Sequence, residues 1–200
     1  MNLPNKLTVF RMILVPIFII IGYVGIPGEL LGISSTFWVM NLIFIIASIT
    51  DKLDGTIARK NNLVTNFGKF LDPIADKILV ISALVMLVEF GKIPAWIPII
   101  VIAREFLVSG YRLIAVQASG NVIAANIWGK LKTVTQMVAI ILVFADKYNF
   151  FDFVKNAGNM GTGYLVVNIL SSVILAFSVV ATIFSGWSYL KGGKDLLKDA

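Results

Sequence analysis

The residues best suited to chemistry in this chain are four carboxylates between positions 51 and 76, which interrupt otherwise apolar runs. If the segment is a helix, Asp51 and Asp54 share one face with Gly55 and Ala58, because side chains at i, i+3, i+4 and i+7 lie on the same side. Arg59 lies beside that face. The spacing therefore predicts a stripe of acids next to residues small enough for a ligand to approach the backbone.

The other two carboxylates form a second stripe. Gly68, Asp72 and Asp76 are spaced at i, i+4 and i+8 along the next helical segment. The polar connection between the two segments is only a few residues long, which favours antiparallel neighbours. We therefore expect the two stripes to face each other across one pocket.

A pocket with four carboxylates needs a positive charge, since each like charge raises the pKa of its neighbours. The chain contains no His and no Cys. Ligation by oxygen alone is typical of Mg²⁺, Mn²⁺ or Ca²⁺ and not of zinc. Acids merely solvated at a membrane surface are the alternative, but that alternative does not explain two complementary stripes. We therefore favour a divalent metal site.

The elements that must position these residues are membrane-spanning helices. The 200 residues are 58% hydrophobic, with a mean hydropathy of +0.90, which is too apolar for a soluble domain. The expected fold is an all-α integral membrane protein, a single domain over residues 1–200, with a polar, metal-binding pocket at the cytoplasmic side. Stretches near the roughly 20 residues that span a bilayer predict six transmembrane helices, at about 7–25, 36–57, 70–90, 94–115, 130–146 and 164–190.

The positions of Lys and Arg predict the orientation of these spans. With a cytoplasmic amino terminus, only three of the 17 basic residues fall on the outer side, namely Lys92, Lys147 and Lys155. Both termini and the acidic stretch are therefore expected to face the cytoplasm, in the cell (plasma) membrane. The net charge of +6 is spread along this inner boundary, which favours anionic lipid headgroups over nucleic acid as the partner.

A second group of ionisable residues lies near the end of the fourth predicted span. Arg104 and Arg112 are eight residues apart, hence on nearly the same face and roughly 12 Å apart along the axis. Such groups usually face the protein interior or a wet cavity. Arg112 could instead snorkel to the interface, and Arg104 could pair with Glu105 or a bound anion. Lys130 aligns with the pocket if the fifth span packs beside the fourth, whereas Lys132 is expected to add positive charge at the inner side.

The amino-terminal segment allows two interpretations. Asn5 and Thr8 precede or begin an apolar helix, where both residue types commonly serve as caps. Alternatively, both side chains point into the same inner pocket as the acids.

The central stretch, written with its gaps, is D-x2-D-G-x2-A-R-x8-G-x3-D-x3-D. This pattern resembles the signature of the CDP-alcohol phosphatidyltransferases, which it matches at all eight positions. The resemblance extends to six spans, to the opening PNxLTxxR, and to the AREFxxSxxR and GKxKT stretches, so it covers nearly the whole chain. These last two stretches are similar to members of the family that use sn-glycerol 3-phosphate as the acceptor.

The resemblance implies an enzyme that transfers a phosphatidyl group from CDP-diacylglycerol to sn-glycerol 3-phosphate, releasing CMP, in phospholipid biosynthesis. Asp51, Asp54 and Asp72 would hold one or two Mg²⁺ or Mn²⁺ ions, with Asp76 as general base and as a ligand to the second ion. The family commonly forms homodimers, so a homodimer is also implied. The residues that would bind the CDP-diacylglycerol are Asn5, Thr8, Asp54, Gly55, Ala58, Arg59 and Gly68.

The acceptor is the less constrained part of this expectation. A doubly negative acceptor phosphate needs fixed cations, which Arg104, Arg112 and Lys130 could supply through charge-assisted hydrogen bonds. An inositol phosphate, or phosphatidylglycerol as in cardiolipin synthases, would make related demands, so both stay open as alternatives. A cation transporter would more often show internal repeats and midplane charges, and a structural lipid-binding protein leaves the cluster of acids unexplained.

Overall fold

The computed structural model describes residues 2–60, 66–119 and 127–192, and within these ranges the chain is largely helical. A short α6 (Asp152–Asn156) leads into a 3-10 turn (Ala157–Asn159), and two-residue strands β1 (Glu29–Leu30) and β2 (Ile33–Ser34) pair antiparallel. The long helices are α1 (Leu3–Val24), α2 (Ser35–Lys60), α3 (Asn66–Glu89), α4 (Trp96–Ser119), α5 (Ile127–Phe144) and α7 (Thr162–Gly192).

Three helices in the described ranges are long and apolar enough to cross a membrane. These segments are Asn5–Val24 in α1, Ile127–Phe144 in α5 and Thr162–Lys191 in α7. Within the described side chains of α2, the apolar stretch Ser35–Asp51 is shorter. The architecture is therefore consistent with a membrane protein, and the expectation of six spans stays a prediction.

The long helices begin and end close to the predicted spans, with one clear difference. Residues 116–129 were expected to form a loop, but α4 continues to Ser119 and α5 begins at Ile127. The residues at the end of α4, LIAVQAS, include the good helix formers Leu, Ala and Gln, and none is Gly or Pro. The helix therefore extends four residues beyond the predicted span, which ended at about 115.

All six long helices contribute to the apolar core, whose largest side chains come from α1, α2, α3 and α5. Phe18, Phe44 and Phe144 are fully buried there, together with Leu84 and Leu87. The rings of Phe18 and Phe144 meet edge to face, 5.9 Å between centroids, an arrangement that contributes about 0.5–1.5 kcal/mol beyond the buried area. This packing fixes the rotation of each helix, and with it the direction in which the polar residues near the helix ends point.

We call one end of the bundle, residues 25–35, 90–95 and 145–161, the hairpin end. Lys92 lies in the α3–α4 connection and is buried, and its Nζ donates to three successive backbone carbonyls, from Asp146 (2.8 Å) to Tyr148 (3.4 Å). Burial lowers the pKa of Lys92, and the negative charge of Asp146 opposes that shift. A lysine expected only to mark the outer side therefore holds the turn that follows α5.

The carboxylate of Asp146 completes this network. It accepts from the backbone N–H of Tyr148 (2.9 Å), the side-chain amide of Asn168 (2.8 Å) and the hydroxyl of Ser171 (2.6 Å). Asn168 and Ser171 belong to α7, so the network joins the ends of α5 and α7 to the α3–α4 connection. The connection between α5 and α7 thus holds a buried polar cluster.

Candidate active site

The opposite end of the bundle, which we call the acidic end, contains Asp51 and Asp76. There α1 turns a polar face inward, since Asn5, Thr8 and Arg11 are spaced three residues apart and are at most 7% exposed. Arg11 Nη1 forms an ion pair with the carboxylate of Asp51 on α2. The cap of α1 is Asn2, whose side chain accepts from the backbone N–H of Asn5 at 3.2 Å. The capping role considered for Asn5 and Thr8 is therefore filled by another residue.

The structure brings together one acid from each stripe. The carboxylate of Asp76 on α3 lies within electrostatic range of Asp51 on α2, and also of Arg11 and Lys132. Sequence reasoning did not single out Arg11 as a site residue. The available signals were its position on the same helical face as Asn5 and Thr8 and its place as the arginine of the PNxLTxxR stretch.

The predicted metal and CDP-diacylglycerol residues lie only partly within the described side chains. Gly68 is buried at the start of α3. Among the side chains that are described, no three metal-ligating groups come together. Asp51 and Asp76 offer only carboxylate oxygens, the donors that Mg²⁺ and Mn²⁺ prefer, so the donor type fits a divalent cation. The predicted residues whose side chains lie outside the described part of the chain are Asp54, Gly55, Ala58, Arg59 and Asp72.

A cavity of about 1110 Å³ opens between α3, α4 and α5, and Asp76 is part of its wall. We call it the basic cavity, because five of the seven charged side chains that line it are basic. The residue predicted to be the base and the three cations predicted to bind the acceptor therefore line one space. The charged lining residues are Lys77, Arg104, Arg112, Lys130 and Lys132, with Asp76 and Glu105.

Glu105 links two of these cations. Its Oε1 accepts from Arg104 Nη1 at 2.8 Å and from Lys132 Nζ at 2.6 Å, and all three side chains are at most 15% exposed. The pairing of Arg104 with Glu105 was one of the sequence alternatives. The structure adds a contact for Lys132 that the sequence did not predict: α5 turns this lysine inward against Glu105, whereas Lys130 is exposed at the cavity wall.

Helix α7 contributes contacts to Arg104 and Arg112 that the sequence did not predict. Arg112 Nη2 donates to the hydroxyl of Tyr189 at 2.6 Å. The Tyr189 ring centroid is 5.4 Å from the guanidinium carbon of Arg112 and 6.0 Å from that of Arg104. Arg104 also donates to the hydroxyl of Ser185. Both arginines are thus oriented by side chains far away in the sequence.

Comparison with known proteins identifies the class to which this fold and site belong. A family model for CDP-alcohol phosphatidyltransferases matches residues 1–184. The chain belongs to the CDP-alcohol phosphatidyltransferase family, which confirms the resemblance seen in the sequence, and it is an enzyme of that kind.

Individual relatives show which members of the family this chain is similar to. The chain is 41% identical to a protein of Bacillus subtilis over 98% of this chain and 97% of the relative. It is 37% identical to a protein of Rickettsia typhi (96% and 97% covered) and 37% identical to one of Haemophilus influenzae (99% and 96% covered). All three are named CDP-diacylglycerol–glycerol-3-phosphate 3-phosphatidyltransferase.

Proposed function

We propose that this protein transfers a phosphatidyl group from CDP-diacylglycerol to the 1-hydroxyl of sn-glycerol 3-phosphate, giving phosphatidylglycerophosphate and CMP. The observation that carries the proposal is that Asp76 lines the same cavity as Arg104, Arg112 and Lys130. An acceptor in that cavity can place its hydroxyl at a carboxylate while cations hold its phosphate. The names of the relatives support the same donor and acceptor.

Asp76 acts as the general base in this mechanism. It takes the proton of the acceptor's 1-hydroxyl while the oxygen attacks the β-phosphorus of CDP-diacylglycerol in line. A phosphorus–oxygen bond to the acceptor forms, and the bond to CMP breaks with its electron pair leaving on CMP. The positive charges of Lys132 and Arg11 near Asp76 partly offset the electrostatic repulsion between this carboxylate and its acidic neighbours.

One or two Mg²⁺ or Mn²⁺ ions would be held by Asp51, Asp54, Asp72 and Asp76. Such an ion, when bound, neutralises the pyrophosphate and acts as a Lewis acid. Arg11 holds the carboxylate of Asp51 at the acidic end. The CDP group would be accommodated by Asn5, Thr8, Asp54, Gly55, Ala58, Arg59 and Gly68.

The acceptor's phosphate is bound by the excess of positive charge in the basic cavity. Arg112 and Lys130 lie at the cavity wall, and Arg104 and Lys132 are held there by Glu105. Hydrogen bonds from such cations to an ionised phosphate are about twice as strong as neutral ones. A neutral acceptor such as serine would not need these charges.

The setting of the site follows from the distribution of charge. We propose six spans, with the acidic end at the cytoplasmic face of the plasma membrane, because the basic residues concentrate on that side. The acyl chains of the donor can then stay in lipid while the soluble acceptor enters from the cytoplasm. A homodimer, as the family implies, completes the proposal.

The test is CMP release by the purified protein in detergent, with CDP-diacylglycerol and Mg²⁺ or Mn²⁺. Glycerol 3-phosphate, inositol phosphate, phosphatidylglycerol and serine are offered separately. We expect release with glycerol 3-phosphate alone, and its loss in EDTA. Release with another acceptor would overturn the choice of acceptor. No release with any of them would overturn the proposed transfer.

A further inference from the structure

Gln136 of α5 is a polar residue of the basic cavity that the proposed mechanism does not use. Its side chain is 1% exposed and lines the cavity. Within the described part of the chain, neither its amide nitrogen nor its carbonyl oxygen has a hydrogen-bond partner. The Nε of Arg104, in the wall of the same cavity, is likewise buried without a partner among the described residues.

This arrangement is energetically costly for the chain alone. Transfer of an amide from water to apolar surroundings without a compensating hydrogen bond costs about 2–7 kcal/mol, depending on the reference. Most buried side-chain polar atoms in proteins do have a partner. The unpaired atoms of Gln136 therefore indicate that a molecule bound in the cavity supplies the missing hydrogen bonds.

The position of Gln136 limits what that molecule is. It lies four residues after Lys132, hence on the same face of α5 and roughly 6 Å away. Lys132 in turn contacts Glu105 and lies within electrostatic range of Asp76. Gln136 is thus one helical turn beyond the cations that would hold the acceptor's phosphate, among apolar wall residues such as Val101 and Met137.

The chemistry of the amide selects the group it binds. A glutamine side chain offers two N–H donors and one carbonyl acceptor. An ionised phosphate only accepts hydrogen bonds, so it would leave the carbonyl oxygen of Gln136 unpaired. A hydroxyl both donates and accepts, and can satisfy both ends of the amide. In sn-glycerol 3-phosphate, the 2-hydroxyl is the one that neither reacts nor carries the phosphate.

We propose that Gln136 binds the 2-hydroxyl of the acceptor and so selects glycerol phosphate over phosphorylated alcohols that lack this group. The inference rests on the function proposed above. A site built to hydrogen-bond a substrate hydroxyl discriminates strongly against the analogue without it, because its own buried polar atoms are then left unpaired.

The test compares kcat/KM for glycerol 3-phosphate and for 3-hydroxypropyl phosphate, which keeps the primary hydroxyl and the phosphate but lacks the 2-hydroxyl. We expect the unmodified protein to prefer glycerol 3-phosphate by about 100-fold or more. Gln136→Met should reduce kcat/KM for glycerol 3-phosphate by roughly 10- to 100-fold and change the value for the analogue by less than about threefold. The KM for CDP-diacylglycerol should stay the same.

The matched control is Thr135→Val, a polar-to-apolar change at the neighbouring position, where the hydroxyl bonds to the backbone of Leu131 within α5 (2.8 Å). Thr135→Val should keep the full preference for glycerol 3-phosphate over 3-hydroxypropyl phosphate. If Gln136→Met does not purify as a folded protein, Gln136→Asn is used, and its shorter amide should weaken the preference.

The outcomes separate the two proposals. A preference that survives substitution of Gln136, or an unmodified protein without any preference, would overturn the inference and leave the transfer to glycerol 3-phosphate intact; the amide would then bind only water. Absence of CMP release with either acceptor in the unmodified protein would instead overturn the proposed function itself.

Discussion

The two ends of this helical bundle bury polar side chains in opposite ways. At the hairpin end, Lys92 uses all three N–H groups on backbone carbonyls, and Asp146 accepts three hydrogen bonds. Asn168 is also fully bonded, with its oxygen accepting from a backbone N–H at 2.8 Å. In the basic cavity, by contrast, Gln136 and the Nε of Arg104 find no partner among the described residues.

This difference separates two uses of buried polarity. A network that is satisfied within the chain stabilises one arrangement of the helices, whereas a partly satisfied one leaves donors and acceptors for a ligand. The hairpin end would therefore stabilise the fold. The basic cavity would bind the acceptor and hold the group that reacts with it. Substitutions at the two ends should accordingly act on different measurements.

The largest effect is expected from Asp76→Asn, which removes the proposed base without changing the size of the side chain. Turnover should fall by about 10³-fold, within the range that general bases contribute, while binding of CDP-diacylglycerol is largely kept. The measurement is CMP release together with lipid binding. Asp152→Asn, at the hairpin end, is the control and should be active. Normal turnover in Asp76→Asn would exclude this residue as the base.

At the hairpin end, Asp146→Ala should act on stability instead. It leaves the amide of Asn168 and the hydroxyl of Ser171 without their acceptor, and we expect a loss of about 2–4 kcal/mol of unfolding free energy. Thermal unfolding in detergent measures the loss. Asp152→Ala, whose carboxylate accepts from an exposed backbone N–H (3.0 Å), should cost little. If the folded Asp146→Ala protein lost turnover as Asp76→Asn does, the proposed division between the ends would be contradicted.

Arg112→Ala should raise the KM for the acceptor far more than the KM for CDP-diacylglycerol. Loss of a hydrogen bond to a charged group, about 1.5–3 kcal/mol, corresponds to roughly 10- to 100-fold. Steady-state kinetics with each substrate varied separately gives both values. Lys155→Ala removes the same charge at the hairpin end and serves as the control. Equal changes in both KM values would show that Arg112 does not belong to the acceptor site.

Glu105→Gln tests whether Glu105 acts through charge or through position. If it acted only through charge, its neutralisation would make the cavity more positive and lower the acceptor's KM. Because its Oε1 holds both Arg104 and Lys132, we expect the KM to rise, by about tenfold. Glu89→Gln, the same charge change at the last residue of α3 and away from the cavity, is the control. A lower KM in Glu105→Gln would contradict the positioning role.

The smallest expected effect concerns the pH dependence of stability at the hairpin end. The folded pKa of Lys92 lies below its ordinary value of 10.5, so between these two pKa values the unfolded chain binds more protons than the folded one. Stability from this residue therefore rises with pH up to about 10.5. Between pH 8 and 10.5, the melting temperature of the unmodified protein should rise relative to that of Lys92→Gln. A constant difference would mean that Lys92 keeps an ordinary pKa when folded.

Much of the architecture and part of the site were predictable from local pattern. Long apolar runs form helices in a membrane because every backbone N–H and C=O must be satisfied within the segment, and the observed helices begin and end close to those runs. The spacing of Asp51 and Asp76 placed them on inward faces of two successive helices, and the structure brings them within electrostatic range of each other. The family also followed from the motif and is confirmed by the family match.

The partners of the polar residues were decided only by tertiary structure. Lys130 and Lys132 are two positions apart and so lie on different sides of α5, but only the packing of the helices decides that Lys132 is the one buried against Glu105. Tyr189 reaches Arg112 from 77 residues away, and Lys92 reaches the carbonyl of Asp146 from 54 residues away. Helical periodicity determines which residues share a face, but the rotation and crossing of whole helices determine what that face meets, and these depend on how the apolar core packs.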